Sequence, residues 1–242
     1  MIILASDTSG KSISVALSKE GTVVEEISGQ DTMQHASSLL PAINQILQNN
    51  DLSIADIDLF ATTTGPGSFT GIRIGLSAVM GLAYGTGKRV YGVSSLATLA
   101  AAIADAALLV APVVDARGGR VYSGLYLKGE SLIEERPREI SAFLETLVDK
   151  FPQDEKIVFV GDGSPLIQEY LDEQEQEHPL NVAEKRFVFA EPEKNNISAA
   201  EIALLAQAAY LRGESFPAAH ELEANYGIES SAKRNLKEKG DK

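Results

Sequence analysis

The sequence contains no cysteine and no tryptophan, and only three of its 242 residues are histidine. Without cysteine the chain cannot form a disulfide bond, a thiolate metal site or a cysteine nucleophile. The histidines are His35, His178 and His220, and none has a second histidine three or four residues away. The histidine pair that binds zinc or iron on a helix is therefore absent, and the sequence predicts no metal site.

The chain also lacks a basic leader and a long apolar run. A short apolar stretch, residues 2–5, reaches Asp7 with no basic residue before it, so we do not expect this stretch to be a signal peptide. No apolar stretch approaches the roughly 20 residues of a membrane span. We therefore expect a soluble, cytoplasmic protein with no membrane contact.

Basic residues are scarce relative to acidic ones. The chain has 34 Asp and Glu against 21 Lys and Arg, a net charge of −13, and 44% of its residues are hydrophobic. This composition is typical of a globular protein of one or two domains, and the negative charge disfavours direct binding to nucleic-acid phosphates. Residues 1–120 hold 10 acidic and 7 basic residues, whereas residues 121–242 hold 24 and 14. The two halves are therefore expected to face different surroundings.

The two halves share one pattern. The first reads as a strand, a hairpin, a helix, a strand, a small-residue helix, a strand and a helix, at residues 2–6, 13–27, 35–47, 59–63, 69–84, 89–93 and 95–107. An offset of 108 residues then aligns five identities at matched turns, pairing Asp7 with Asp115, Gly10 with Gly118, Leu17 with Leu125, Gly21 with Gly129 and Glu26 with Glu134. We interpret this as an internal duplication. It predicts two α/β lobes, residues 1–107 and 108–230, and a tail, residues 231–242, that is expected to be flexible.

Each copy contains a strand that ends in aspartate and runs into a glycine-containing turn. Backbone N–H groups in such turns can bind a phosphate, and the aspartate can position a metal ion or a water molecule. The candidates for nucleotide or anion contact are Asp7, Thr8, Ser9, Gly10, Asp115 and Arg117. The alternative is that both aspartates only end strands and accept hydrogen bonds from turn N–H groups.

A glycine-rich block, residues 65–71 (GPGSFTG), lies between a predicted strand and a predicted helix. It matches neither the Walker loop nor the dinucleotide-binding spacing. It indicates either an anion site at a helix N-terminus or glycines that allow a sharp turn and close packing. Gly71, Gly75 and Gly81 lower helix propensity, which favours close contact with another helix. We expect part of this helix to be a partner interface.

Serine hydrolase chemistry has little support. The nearest approach to a nucleophile elbow, residues 92–96 (GVSSL), lacks the final glycine of G-x-S-x-G.

These segments occur in the order found in the TsaB (YeaZ) family. The chain resembles that family in its opening residues 2–9, in residues 65–75, in residues 92–96 and in residues 115–117 (DAR). The resemblance is close over about residues 1–125 and extends beyond only in plan. The family belongs to bacterial threonylcarbamoyladenosine (t6A) biosynthesis on tRNA and was historically grouped with glycoprotease-like proteins. The resemblance implies a duplicated RNase H-like fold with two lobes, as in the actin-like ATPase superfamily.

The resemblance also implies an accessory subunit rather than an enzyme acting alone. In the family it binds and activates TsaD, a metal-binding paralogue that performs the transfer, and the ATPase TsaE joins the pair. Contact with tRNA is then indirect. The first two helices form the family's interface with TsaD, which corresponds here to His35, Leu39, Ile43, Gly71, Ile72, Gly75, Leu76, Val79, Met80 and Ala83.

No catalytic residue is assigned and no cofactor is required. If the chain binds ATP or ADP with Mg²⁺, we expect the nucleotide to bind at the partner interface. The sequence does not decide whether the isolated chain forms a homodimer. The alternative function is a small nucleotide-dependent kinase or ATPase of the same superfamily that uses Asp7 and Asp115, and a peptidase is the third. The chain departs from the family after the last helix, where Tyr226 is followed by a lysine-rich extension.

Overall fold

The computed structural model describes residues 1–29, 35–103, 108–151, 154–177 and 186–226, and it contains two five-stranded sheets. The first sheet has the strand order β3-β2-β1-β4-β5. Strand β1 pairs antiparallel with β2 and parallel with β4. The strands and helices of this half are β1 (Ile2–Asp7), β2 (Ile13–Lys19), β3 (Thr22–Gly29), α1 (His35–Asn49), β4 (Leu59–Gly65), α2 (Phe69–Thr86), β5 (Arg89–Ser94) and α3 (Ser95–Ala101).

The second sheet repeats the first. Its order, β10-β9-β6-β7-β8, places each strand beside the same neighbours as its counterpart five positions earlier in the chain. The elements are β6 (Leu109–Arg117), β7 (Arg120–Leu127), β8 (Glu130–Glu139), α4 (Ile140–Lys150), β9 (Ile157–Val160), α5 (Ser164–Glu177), β10 (Phe187–Phe189) and α6 (Ala199–Leu211). This shared topology confirms the predicted duplicated RNase H-like fold.

Helices cover the outer face of each sheet and also fill the space between the sheets. Side chains alternate along β1, so that Leu4 packs in one core with α1 and α2, whereas Ile3 and Ala5 pack in another with α3 and α6. Helices α4 and α5 pack with the second sheet in a third core. No helix in the described ranges is long and apolar enough to cross a membrane.

The last helix of each half packs against the sheet of the other half. Helix α3 packs against β6 of the second sheet, and α6 packs against β1 and β2 of the first. The predicted helix over residues 95–107 ends at Ala101, and residues 104–107 lie outside the described residues, as does the predicted tail. The predicted domain boundaries therefore stay predictions.

Glu26 links the first sheet to the start of α6. Its Oε1 accepts hydrogen bonds from Ser14 Oγ at 2.7 Å and from Ser198 Oγ at 2.8 Å. The backbone N–H of Ala200 also donates to it, at 3.4 Å, and that of Ala199 donates to Ser14 Oγ at 2.9 Å. A carboxylate at this position satisfies N–H groups that the first turn of a helix cannot pair internally.

Candidate functional site

Asp7 ends β1 and is 1% exposed. Its carboxylate accepts hydrogen bonds from the hydroxyl of Thr63, from Ser9 Oγ at 2.7 Å and from Ser9 N at 3.2 Å. Burial raises the pKa of Asp7, and these hydrogen bonds, with one from the backbone N–H of Gly10, oppose the rise. The carboxylate is therefore occupied by donors of its own lobe.

Asp115, its counterpart on β6, is exposed. Its Oδ1 accepts a hydrogen bond from Arg117 N at 2.7 Å, and its own N–H donates to Asp162 Oδ1 at 3.1 Å. Burial raises the pKa of Asp162, and this hydrogen bond from the backbone of Asp115 partly opposes the rise. Arg117 is exposed and has a left-handed backbone with φ 64°. The two aspartates therefore lie at equivalent places on their strands, but Asp7 is buried and Asp115 is exposed.

The cleft between the two lobes widens into a cavity of about 720 Å³ between the first hairpin and residues 192–198, but it is narrow beside the Asp7 turn. The cavity there has a volume of about 10 Å³, which is the lower limit for one water molecule. A nucleotide needs a pocket of about 300 Å³ or more. The first turn lines this small cavity, but residues 115–119 of the second turn do not; the lining residues are Ser9, Gly10, Lys11, Pro66, Leu99, Val114, Asp162, Asn195, Asn196 and Ile197. Of the sequence candidates, only Ser9 and Gly10 line it, and Thr8 is buried against α2 instead.

The glycine-rich block packs against the turn after β1. Thr8 Oγ1 donates to the carbonyl oxygen of Gly71 at 2.6 Å, and Ser68 N donates to Ser9 O at 2.8 Å. A Cβ at Gly71 would lie 1.9 Å from Thr8 O, and one at Gly75 would lie 2.6 Å from Thr8 Oγ1. These two glycines therefore allow close packing against the chain's own β1 turn rather than against a second helix.

The predicted interface residues lie mostly inside the first lobe. Leu39 and Ile43 of α1, together with Gly71, Ile72, Gly75, Leu76, Val79 and Ala83 of α2, are buried, and Met80 is half-buried. The side chain of His35 lies outside the described residues. The buried residues attach both helices to the sheet, so any contact with a partner must use the opposite, exposed sides. The assignment of α1 and α2 as a partner interface stays a prediction.

The exposed side of α2 carries two further glycines. A Cβ added at Gly81 or Gly85 would meet nothing within 4 Å, and neither residue has a positive φ. Each glycine destabilises a helix by about 1 kcal/mol relative to alanine. Neither local backbone geometry nor packing within the described residues requires them. We name Gly81 and Gly85 the open glycines.

Ser94 and Ser95, the serines nearest to a nucleophile motif, serve structural roles. Ser94 Oγ donates to Glu135 and accepts from Leu96 N at 3.0 Å at the start of α3. Ser95 Oγ lies 3.2 Å from Ser9 Oγ. Among the residues whose side chains are described, no histidine contacts either serine, and no group of three or more His, Asp or Glu side chains could hold a metal ion.

Sequence analysis missed a segment that follows α6. Residues 214–226, which we name the strap, return across the first lobe, and Tyr226 ends on Phe69 and Arg73 of α2. The only signal was a set of isolated apolar residues in a polar stretch: Phe216, Leu222 and Tyr226.

Comparisons with known proteins agree with this geometry. The family model described as TsaD, tRNA N6-adenosine threonylcarbamoyltransferase, matches residues 14–227. The tRNA threonylcarbamoyladenosine biosynthesis protein TsaB of Bacillus subtilis is 33% identical over 177 residues, which cover 72% of this chain and 76% of the relative. The protein of the same name from Escherichia coli is 39% identical over 133 residues, covering 54% and 57%.

A solved structure supports the same assignment. YeaZ from Pseudomonas aeruginosa superposes with a TM-score of 0.74 at 28% identity, covering 93% of this chain and 99% of that one. The family model carries the transferase's description, whereas the curated relatives carry the name TsaB. On the fold, the glycine-rich block and these relatives, the chain belongs to the TsaB (YeaZ) family.

Proposed function

We propose that this chain is a non-catalytic subunit in tRNA threonylcarbamoyladenosine biosynthesis, where it binds the TsaD paralogue and activates it for transfer. Its TsaB relatives carry that biosynthetic role in their names. Contact with tRNA is indirect and falls to the partner, because a net charge of −13 opposes phosphate binding.

The observation that carries the proposal is the pair of open glycines on α2. They lie on the exposed side of the helix and nothing within 4 Å limits a larger side chain, although each lowers helix stability. A second helix packed against that side would explain the two open glycines, because small residues let two helix axes approach to about 8 Å. Leu40 on α1, a helix that contacts α2, is 52% exposed, so α1 also offers apolar contact area.

Two further observations support a non-catalytic role. The carboxylate of Asp7, the best acid candidate, is already bound by Thr63 and Ser9. The cleft next to it holds about 10 Å³, too little for a substrate or nucleotide.

Leucine at Gly81 is expected to weaken binding of purified TsaD about 30-fold. The new side chain would occupy the space that the partner helix needs, and such overpacking costs about 1–3 kcal/mol. Isothermal titration calorimetry of the two purified proteins measures the change. Ala142→Leu is the matched control, since it also places leucine at an exposed small residue, on α4 of the other lobe.

The outcomes of that titration separate two failures. If wild type does not bind TsaD, the proposed function is wrong. If wild type and Gly81→Leu bind TsaD equally well, the proposed function stands but the proposed interface on α2 is wrong. Gly75 and Val79 are unsuitable for such a substitution, because both are buried and changing them would test folding instead.

We also propose that ATP or ADP with Mg²⁺ binds at the TsaD interface rather than to the free chain. Titration of the isolated chain with ATP–Mg²⁺ is expected to show no saturable heat, because the cavity beside the Asp7 turn has a volume of only about 10 Å³. Titration of the complex is expected to show binding. Saturable binding to the free chain that is lost in Asp7→Ala would instead favour the kinase or ATPase alternative.

Two further partners belong to the same proposal. TsaE is expected to join the complex, and the isolated chain is expected to self-associate, if at all, through the same exposed side of α1 and α2. Gly81→Leu should then also reduce self-association.

A further inference from the structure

The strap is attached firmly to the first lobe. Val90 N donates to Pro217 O at 3.2 Å, and Ala218 forms an antiparallel bridge with Arg89, so the strap covers the free edge of β5. Ala219 is buried in the same core as α1 and α2. The strap is therefore part of the folded lobe.

The strap then crosses the carboxyl ends of β4 and β5 toward α2. Asn225 N donates to Thr64 O at 2.7 Å. Gly65 has φ +111°, and a Cβ there would lie 2.1 Å from Asn225 O, so only glycine permits this approach. One residue further on, the ring of Tyr226 packs on Phe69 with centroids 4.9 Å apart.

Arg73 contacts both of these rings. Its guanidinium lies 3.8 Å above the centre of the Phe69 ring, and its Nε donates to Tyr226 Oη at 3.1 Å. Its side chain is exposed, and within the described ranges it forms no ion pair. In a chain with a net charge of −13, a preorganised cation with no acidic partner among the described residues is conspicuous. Phe69 is itself 52% exposed.

This cluster continues the exposed side of α2. Arg73, Ser77 and Gly81 are spaced four residues apart and all are exposed, so they lie on one face of the helix. Aromatic and arginine side chains dominate the binding energy of protein interfaces, and groups that are already ordered lose less entropy on binding. A stacked guanidinium presents a planar fork that fits a carboxylate.

We propose that Phe69, Arg73 and Tyr226, which we name the aromatic clamp, anchor the same partner by binding one of its carboxylate side chains. The strap is thereby part of the docking surface, although the chain reaches it 153 residues after Arg73. This inference rests on the proposed function and adds to it a binding site and the chemistry that the site recognises. The occupant is a protein carboxylate rather than a phosphate, because the acidity of the chain repels nucleic acid.

Tyr226→Ala and Arg73→Lys test the clamp, with TsaD as the ligand and the full chain in each variant. Both are expected to raise the dissociation constant about 10-fold, mainly through a faster off-rate in surface plasmon resonance. Lysine keeps the charge but loses the stacked planar fork, so it separates the clamp from a simple charge effect. Tyr210→Ala is the control, because Tyr210 is a 52% exposed tyrosine that lies on α6, outside the clamp.

The results divide as follows. If both clamp variants bind like wild type while Gly81→Leu does not, the clamp is wrong and the proposed function stands. If Gly81→Leu also binds TsaD like wild type, the exposed side of α2 is not the binding surface for TsaD. If Arg73→Lys weakens tRNA binding by the complex without changing its affinity for TsaD, the occupant is a phosphate and the inference is overturned. Thermal unfolding of each variant checks the fold, and Arg73→Lys decides the question if Tyr226→Ala detaches the strap.

Discussion

Alanine at Gly71 is expected to lower the free energy of unfolding by about 3 kcal/mol or more. The added Cβ would lie 1.9 Å from the backbone oxygen of Thr8 and 3.0 Å from its carbonyl carbon. The Thr8 side chain also donates to Gly71 O at 2.6 Å, so the turn cannot move away without breaking a buried hydrogen bond. Overpacking costs about 1–3 kcal/mol and a lost hydrogen bond about 1 kcal/mol more. Urea denaturation followed by circular dichroism measures the change.

Gly81→Ala is the matched control on the same helix. Its Cβ meets nothing, so alanine should raise the free energy of unfolding by about 0.5–1 kcal/mol through helix propensity alone. Changes of opposite sign in the free energy of unfolding, at two glycines ten residues apart, would distinguish a glycine needed for packing from one that faces a partner. If Gly71→Ala unfolds at the wild-type urea concentration, the tight packing of α2 on the β1 turn is wrong.

The hairpins and the duplication were predictable because their signals are local. Glu20 and Gly21 have φ 50° and 79°, and Lys128 and Gly129 have φ 55° and 81°. A two-residue turn with two positive φ angles needs glycine, and the sequence repeats it at the matching place. Regular strands and turns of this kind are set by neighbouring residues, so the shared topology of the two sheets followed from the alignment of the two halves.

The role of the glycine-rich block was not predictable, because its neighbour is distant in sequence. Thr8 and Gly71 are 63 residues apart, and nothing near Gly71 indicates which surface it approaches. Sequence alone left an anion site and a packing site as alternatives. It also assigned buried positions such as Leu76 to a partner, since an apolar helix face reads the same whether a sheet or another chain covers it.

The strap, and the packing of α3 and α6 against the sheet of the other half, were missed for a related reason. The apolar composition of α6 predicts a helix but does not indicate which sheet it packs on. Tyr226 contacts Arg73 across 153 residues, and the strap itself has no periodic pattern. Such contacts depend on the assembled lobe, so a single sequence carries little trace of them.

Alanine at Asp7 is expected to lower the free energy of unfolding by about 4 kcal/mol at neutral pH. Each of its partners is a donor. Without the carboxylate, the Thr63 hydroxyl and the Ser9 N–H would be left buried without an acceptor, and the Ser9 hydroxyl would keep only Ser95 Oγ. An orphaned buried donor costs about 1–3 kcal/mol. Asp115→Ala is the control from the second lobe, where the carboxylate is exposed, and its cost should stay below about 1 kcal/mol.

The pH dependence of the Asp7 effect distinguishes a buried structural acid from a solvent-open catalytic one. Burial raises the pKa of Asp7 in the folded state, so between its unfolded value near 3.8 and that higher value the folded chain holds a proton that the unfolded chain has released. The contribution of Asp7 to stability therefore falls as pH rises through that window and is constant above it. Urea midpoints of wild type and Asp7→Ala should differ most at the acid end of a series from pH 4 to pH 8. A difference that grows with pH would mean that the pKa of Asp7 is lowered, as expected for a carboxylate poised to hold a cation, and would favour the nucleotide-dependent enzyme.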